Sequence, residues 1–277
     1  MTSWQRQNLR NIQRNLTWLE KKPDGILMTD VNGTDSIVVI KEGTEIQLFF
    51  AEHKAGSEEI TLSGAMSRID IHQPLYLLGT YSQVMMLSLL FCPSPKHVYM
   101  MGFGGGRTPM LFHHHFPELH IAGSELDQRV LALNEMLFGL SPSERISVVA
   151  QDGVSHLTQT SQHYDIILLD CFTGAGDHPE AITTPEFYDL CLSKIQPHGV
   201  TVQYLAGSDR EADLKIIQFQ DSFPYVYYFA DENTHVLFGL KTPSPPLHAL
   251  IETANKIAAD HQFSFPFIEH AQQLTII

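Results

Sequence analysis

The first quarter of the chain shows two hydrophobic periods in succession. Apolar residues recur at spacings of three and four between Leu9 and Leu19, which predicts an amphipathic helix over residues 1–23. From there apolar and polar residues alternate in short runs, with turn signals such as Glu42-Gly43 between them. The alternation predicts a small antiparallel β domain over residues 24–75.

The remaining chain, residues 76–277, mixes strand-like and helical patterns. A helix is expected from Leu75 to Phe91, and five buried strands then alternate with helical segments, which is typical of a parallel sheet covered by helices. A final pair of strands is close enough in sequence to form a hairpin. The predicted fold class is therefore α/β, with a seven-stranded Rossmann-like sheet, mostly parallel, and a closing antiparallel hairpin. The strand-like runs lie near residues 97–102, 119–125, 146–150, 164–170, 200–205, 225–230 and 235–241.

Composition narrows the class of partner. The 277 residues are 43% hydrophobic and 17% charged, which is typical of a globular protein. No apolar run approaches the roughly 18 residues of a membrane span, so no membrane partner is expected. The net charge of -14 would repel a phosphate backbone, which disfavours nucleic acid.

Cysteine usage and the N-terminus bear on location. Three cysteines without a C-x-x-C spacing indicate neither a disulfide framework nor a zinc site. The N-terminal segment lacks the continuous apolar core of a signal peptide. We therefore expect a reducing, cytoplasmic location.

A glycine cluster follows the first strand of the Rossmann-like region, in the sequence MGFGGGRTP. Gly102, Gly104 and Gly105 allow a ligand to approach the backbone without side-chain obstruction. A dinucleotide fingerprint, G-x-G-x-x-G, would require glycine where Arg107 stands. The cluster therefore indicates a ligand loop but disfavours a pyrophosphate.

Three acidic residues stand at the ends of successive strands. Glu125 follows the second strand, at the distance where a carboxylate accepts hydrogen bonds from ribose hydroxyls. Asp152 and Asp170 follow the third and fourth strands, and carboxyl ends of parallel strands share one crevice. Each aspartate could instead cap the next helix.

At these residues the sequence resembles the spermidine synthase, or polyamine aminopropyltransferase, family, which is built on the class I methyltransferase fold. The resemblance runs from about Ser36 to Lys241. It is carried by the segments VYMMGFGGG, GSELDQRVLALNEMLFGL, VVAQDG, YDIILLDCFTG, TTPEFYDLCLSKIQPHGVTVQ and FPYVYYF.

The resemblance implies roles for individual residues. Glu125 would hold the ribose, and Asp152 with Gly153 the adenine end, of S-adenosylmethionine (AdoMet) or of its decarboxylated form. Asp170 would bind and deprotonate the amine nucleophile. The resemblance also implies that Tyr81, Gln203 and Tyr227 lie near the acceptor and that residues 171–184 form a gatekeeping loop. Homodimers are common in the family, and the amphipathic N-terminal helix could contribute to one, but the sequence leaves the oligomeric state open.

The sequence departs from the family pattern where charge matters. Arg107 replaces an aspartate that would meet the ammonium of the aminopropyl group, and a guanidinium there would favour the carboxylate of intact AdoMet. The family's Y-H-E is Tyr81-Ser82-Gln83 here, and its D-S-x-D is Asp170-Cys171-Phe172-Thr173. A dicationic diamine needs buried anions, and this pocket has fewer, with Gln83, Gln203 and Thr173 as expected acceptor contacts. Asp177 and Glu180 would restore charge if their loop folds inward.

Four functions remain open. The favoured one is an AdoMet-dependent transferase that transfers a methyl or aminocarboxypropyl group to a small amine acceptor. The others are a true aminopropyltransferase with a rearranged amine pocket, a noncatalytic nucleoside-binding module, and an NAD-dependent dehydrogenase, which Arg107 and the closing hairpin disfavour. No metal is expected, because His113-His114-His115 cannot converge on one ion from consecutive helix positions. Cys171 is expected to be a packing residue.

Overall fold

The computed structural model describes residues 1–32, 35–53, 60–140, 143–172, 178–207, 209–232, 234–243 and 245–277. The N-terminal part forms a four-stranded sheet in which each strand is antiparallel to the next. This confirms the predicted hairpins. The strands are β1 (Gly25–Asn32), β2 (Asp35–Glu42), β3 (Glu45–His53) and β4 (Ile60–Asp70).

The second sheet carries the Rossmann-like part of the fold. Its strands are β5 (His97–Met101), β6 (His120–Glu125), β7 (Ile146–Ala150), β8 (Tyr164–Leu169), β9 (Ile195–Ala206), β10 (Tyr225–Asp231), β11 (Thr234–Leu240) and β12 (Thr275–Ile276). They are ordered β12-β10-β11-β9-β8-β5-β6-β7. The parallel part of the sheet comprises β7, β6, β5, β8 and β9, in that order. The strand β11 pairs antiparallel with both β9 and β10. The predicted α/β class is confirmed, and β12 is an addition to it.

Helices cover both faces of this sheet. The helix predicted from Leu75 starts only at Thr80, because Gly79 has an extended backbone (φ -95°, ψ 131°). The helices are α1 (Ser3–Leu16), α2 (Thr80–Met85), α3 (Arg107–His115), α4 (Gln128–Phe138), α5 (Gly153–Gln159), α6 (Pro185–Lys194), α7 (Asp209–Ser222), α8 (Leu247–His261) and α9 (Phe267–Gln272). Among the helices in the described ranges, none is long and apolar enough to cross a bilayer.

The N-terminal helix α1 docks onto the body of the protein through its apolar stripe. Ile12 and Leu16 are buried and belong to a core that includes residues of α4 and of the N-terminal sheet. The polar side chain of Asn8 is buried beside them, with its Nδ2 3.2 Å from the Nδ1 atom of His114. Burial lowers the pKa of His114 to about 4, so this histidine is a neutral packing residue.

Truncating the stripe should therefore destabilise the whole protein. Leu16 is 1% exposed, and Leu16→Ala should lower the free energy of unfolding by about 2–5 kcal/mol because it leaves a cavity. Urea denaturation measures the change. Arg10→Ala, on the exposed face of the same helix, is the matched control and should change stability by less than about 0.5 kcal/mol. Equal effects of the two substitutions would show that α1 does not dock as described.

Candidate functional site

A cavity of about 1320 Å³ opens at the carboxyl ends of the parallel strands. This exceeds the roughly 300–1,000 Å³ typical of pockets for one drug-sized ligand, so two small molecules can share it. Its lining includes the loop after β5, the three predicted acids, and residues of β4 and α2. The sequence-predicted residues that line it are Tyr81, Gly102, Gly104, Arg107, Glu125, Asp152, Gly153 and Asp170.

The glycine loop has a backbone that other residues would not tolerate. Gly102 and Gly104 have φ angles of +77° and +50°, in the left-handed region. A Cβ atom at Gly102 would overlap the main-chain oxygen of Asp170. Glycine at this position therefore lets β5 and β8 come together beneath the cavity.

The amide groups of this loop are all used inside the protein. The N–H groups of Gly102 and Phe103 donate to the carbonyl of Ser124, and that of Gly106 donates to Phe103. The Gly104 N–H donates to Glu125 Oε2 at 2.9 Å. The Gly105 N–H donates to the Oγ atom of Ser67, on β4, at 2.7 Å. The loop therefore supplies shape and not a set of free donors, which argues against a pyrophosphate ligand.

Glu125 is held in a fixed orientation at the end of β6. Its Oε1 atom accepts from the Asp127 N–H at 3.2 Å, and its Oε2 atom from Gly104. Burial raises the pKa of Glu125, while these main-chain donors oppose the rise. Each carboxylate oxygen keeps acceptor capacity beyond one bond, so the group can still receive two hydroxyl donors.

Asp152 caps a helix and lines the cavity at the same time. Its Oδ1 atom accepts from the Ser155 N–H at 2.8 Å, at the start of α5. This is the capping role that the sequence left open. The side chain is exposed at the cavity, and next to it Gly153 is buried, with its carbonyl accepting from Tyr99 Oη at 3.4 Å.

Asp170 is the acid most affected by its surroundings. Burial, and then the neighbouring charge of Glu125, raise the pKa of Asp170 to about 7. Its charge in turn is the largest cause of a raised pKa at Tyr81, ahead of burial, so the Tyr81 hydroxyl stays protonated. The pair therefore presents a carboxyl group that titrates near neutrality beside a phenol that can donate.

An aromatic wall stands beside Asp170. The rings of Tyr81 and Tyr204 are stacked, with centroids 4.1 Å apart and planes at 11°. Phe172 packs against Tyr204 at 5.4 Å and against His178 at 4.4 Å. Tyr204, Phe172 and Tyr81 all line the cavity.

His178 fixes this wall through both ring nitrogens. The main-chain N–H of Ala206 points at Nε2, 2.9 Å away, so Nε2 accepts. The Nδ1 atom lies 3.0 Å from the carbonyl of Cys171 and therefore carries the proton. His178 is thus held as the neutral tautomer between the strand end of β9 and the residue after Asp170.

Comparison with known proteins identifies the family. The profile of the Spermine/spermidine synthase domain matches residues 79–223, which is just over half of the chain. The chain belongs to the spermine/spermidine synthase family. The resemblance noted from the motifs is thereby confirmed.

Individual relatives fall into two classes of transferase. The polyamine aminopropyltransferase of Vibrio vulnificus is 28% identical over 185 residues, covering 65% of this chain and 62% of that protein. The eEF1A lysine and N-terminal methyltransferase of Mus musculus is 29% identical over 148 residues, 50% of this chain and 21% of that protein. The matched segments therefore span less than two thirds of these relatives.

A solved structure shows how far the fold extends. A spermidine synthase in complex with the transition-state analogue AdoDATO superposes with a TM-score of 0.63 at 16% identity, covering 89% of this chain and 88% of that one. The shared fold therefore includes the N-terminal sheet as well as the Rossmann-like part.

Arg107 occupies a different environment from the one expected. Its guanidinium donates to the main-chain carbonyls of Pro74 and Tyr76, and also to that of Phe138. It is 9% exposed, and burial lowers its pKa to about 9. These carbonyls receive N–H groups of both terminal nitrogens, whereas the buried Nε–H has no partner among the described residues.

Three expected acceptor contacts face away from the cavity. Gln83 donates to the Leu77 carbonyl at 2.6 Å and contacts His270 through its Oε1 atom. Gln203 accepts from the Tyr188 hydroxyl at 2.7 Å. Tyr227 donates to the Pro245 carbonyl and packs on Phe91. The expectation that these residues touch the acceptor is not supported by their positions.

The other expected contacts are placed as follows. Gly105 is buried within the loop, against Ser67 and Phe138. Thr173 and Asp177 lie outside the described residues, and Glu180 is exposed. Burial raises the pKa of the Cys171 thiol, which keeps it protonated. Across the described ranges, no three His, Cys, Asp or Glu side chains are grouped so that they could hold a metal ion.

Two residues of the site were missed from the sequence. Tyr204 follows Gln203 directly, and because side chains alternate along a strand only one of them can face the cavity. The family resemblance indicates Gln203 as the acceptor contact, whereas in the structure Tyr204 lines the cavity. His178 carried no sequence signal, because its role depends on the return of β9 to the loop after β8.

The raised pKa of Asp170 should appear in the pH dependence of stability. A carboxyl with a pKa near 7 when folded and about 3.9 when unfolded favours folding through its protonated form. That contribution is complete below about pH 4 and is lost as the pH rises through 7. Asp170→Asn should therefore gain melting temperature relative to wild type from pH 5 to pH 8, as followed by thermal unfolding without ligand.

Asp127→Asn is the matched control. Burial raises the pKa of Asp127, but hydrogen bonds from Arg129 outweigh this and leave it lowered. Its ionised form is therefore favoured by folding throughout pH 5–8, and the asparagine variant should be less stable by an amount that does not change in that interval. If the difference in melting temperature between Asp170→Asn and wild type were also independent of pH, burial would not raise the pKa of Asp170 as described.

Proposed function

We propose that this protein is a transferase that binds an S-adenosyl sulfonium, with AdoMet preferred, and transfers a methyl or amino(carboxy)propyl group to a small amine. The observation that carries the proposal is the convergence of Glu125, Asp152 and Asp170 on one cavity beside an aromatic wall. Family membership and relatives of both transferase classes support it.

The donor would lie along the strand ends. Glu125 would accept from the ribose hydroxyls, and Asp152 with Gly153 would contact the adenine. Leu126, between them, is 77% exposed at the cavity, and an adenine ring would cover it. The spermidine synthase of the same fold was solved in complex with the transition-state analogue AdoDATO.

The reaction needs alignment and one proton acceptor. The lone pair of the amine nitrogen attacks the carbon attached to the sulfonium, the C–S bond breaks, and its electron pair stays on sulfur as a neutral thioether. The amine then loses a proton, which Asp170 can accept because its pKa lies near neutral pH. Its carboxylate, with that of Glu125, also attracts the cationic donor.

The preference for AdoMet rests on charge and not on a contact. Arg107 is a buried cation at the glycine loop, and none of the ion pairs between described residues involves it. With a pKa of about 9 it remains largely charged at neutral pH. A donor that keeps a carboxylate is therefore favoured over one that brings only an ammonium towards this charge.

A true aminopropyltransferase is the second candidate, favoured by the similarity to the Vibrio vulnificus protein. It would use the same cavity and base with the decarboxylated donor. A noncatalytic nucleoside-binding module would leave Asp170 without a chemical role. The expected homodimer and cytoplasmic location stay predictions.

Calorimetric titration with AdoMet, decarboxylated AdoMet and NAD separates the donor classes. We expect AdoMet to bind most tightly and NAD not to bind. Glu125→Gln should weaken AdoMet binding by roughly tenfold or more, because a charge-assisted hydrogen bond to the ribose is lost. Glu118→Gln, whose partner is Arg145 at the surface, is the control and should leave the affinity unchanged. Tight binding of NAD alone would overturn the proposal.

Asp170→Asn separates binding from chemistry. The variant should bind AdoMet but lose about 10²–10⁴-fold in transfer rate, the usual contribution of a general base. Mass detection of product amines from a polyamine and monoamine panel measures the rate and names the group transferred. Transfer at the wild-type rate by the asparagine variant would exclude Asp170 as the base.

A further inference from the structure

The part of the cavity next to Asp170 has a composition of its own. We define the acceptor chamber as the space bounded by Tyr81, Cys171, Phe172, Ile182 and Tyr204 around the Asp170 carboxyl, all of which line the cavity. The charge of Asp170 raises the pKa of both tyrosines, first in order at Tyr81 and after burial at Tyr204. Both phenols are therefore close to the carboxyl and neutral.

The other acids that line the cavity are engaged on the nucleoside side. Glu125 accepts from the glycine loop, Asp127 is paired with Arg129 at 2.6 Å, and Asp152 caps α5. Among the described residues that line the cavity, Asp170 is thus the one acid of the acceptor chamber. It provides one negative charge for one ammonium.

Among the described residues, no other titratable group lines the chamber as a second anion. The charge of Asp231 also raises the pKa of Tyr204, after burial and Asp170, but Asp231 is exposed and does not line the cavity. His178 is neutral, with both nitrogens used by main-chain groups. Arg68 lines the cavity, and its charge lowers the pKa of Tyr81 against the larger effects that raise it. The Arg68 guanidinium is bonded to Glu45 at 2.6 Å, so this pair is neutral as a whole.

A second ammonium in this chamber would lose water without gaining a counter-charge. Buried cations are stable only when they are paired or hydrogen-bonded to anionic groups. The ring surfaces of Tyr81, Tyr204 and Phe172 offer apolar area instead, which an alkyl or aryl body would cover favourably.

We infer that the acceptor is a monoamine: one amine nitrogen at Asp170 and an uncharged, apolar body against the rings of Tyr81, Tyr204 and Phe172. The inference rests on the proposed function, since it assumes that this cavity also holds the sulfonium donor. It distinguishes this protein from an enzyme whose acceptor is an α,ω-diamine.

The test compares acceptors that differ by one charge. AdoMet titration comes first, because failure of AdoMet to bind would overturn the proposed function itself. The product thioether S-adenosylhomocysteine is then bound, and 1-aminopentane and 1,4-diaminobutane, which have the same number of heavy atoms, are titrated into that complex. The monoamine should bind on the order of tenfold more tightly, and kcat/KM for transfer should follow the same order. The binding comparison does not depend on turnover.

Tighter binding of the diamine, or binding of neither amine to a protein that binds AdoMet, would overturn the inference and leave the proposed function standing.

A pair of variants then isolates the effect of one added negative charge. Phe172→Asp and Phe172→Asn have side chains of equal size, and both lose the ring that packs on His178. The aspartate should raise the ratio of diamine to monoamine affinity on the order of tenfold over the asparagine variant. Thermal melts and AdoMet titration show that both variants are folded, and equal ratios in the two would contradict the inference.

Discussion

Two carboxylates desolvated side by side are the constraint on which the rest of the site depends. Glu125 ends β6 and Asp170 ends β8, and these strands flank β5 in the sheet. Burial raises the pKa of both carboxyl groups, and the charge of Glu125 adds to the rise at Asp170. A cationic ligand beside them would relieve that repulsion, which favours the sulfonium of the proposed function over a neutral or anionic nucleoside.

The glycine loop makes this arrangement sterically feasible. Gly102 lets the backbone after β5 approach the main chain of Asp170, and the Gly104 amide orients Glu125. The N-terminal sheet contacts the glycine loop through Ser67, whose Oγ atom accepts from the Gly105 N–H. Arg107 joins the same loop to the segment between the two sheets through main-chain carbonyls. The small β domain is therefore part of the site, and its loss would remove the Ser67 contact that holds the glycine loop.

The sequence predicted the acids at the strand ends better than the aromatic wall beside them. Glu125, Asp152 and Asp170 were predictable because the ends of parallel strands meet at one edge, whatever the details of packing. Tyr204 was not, because a shift of one residue along β9 exchanges the face that Gln203 and Tyr204 present. The contacts of Arg107 could not be predicted, because the sequence shows its charge but not the carbonyls of residues 74–76, which are free to accept only because the helix begins later, at Thr80.

Binding of the cationic donor should stabilise the ionised form of Asp170. Calorimetry of AdoMet binding at pH 6.5, repeated in buffers with different ionisation enthalpies, measures the protons released on binding. We expect proton release by the wild-type protein and a clear reduction in Asp170→Asn, because with a pKa of about 7 Asp170 is largely protonated at that pH before the donor binds. Equal proton exchange by the two proteins would contradict it.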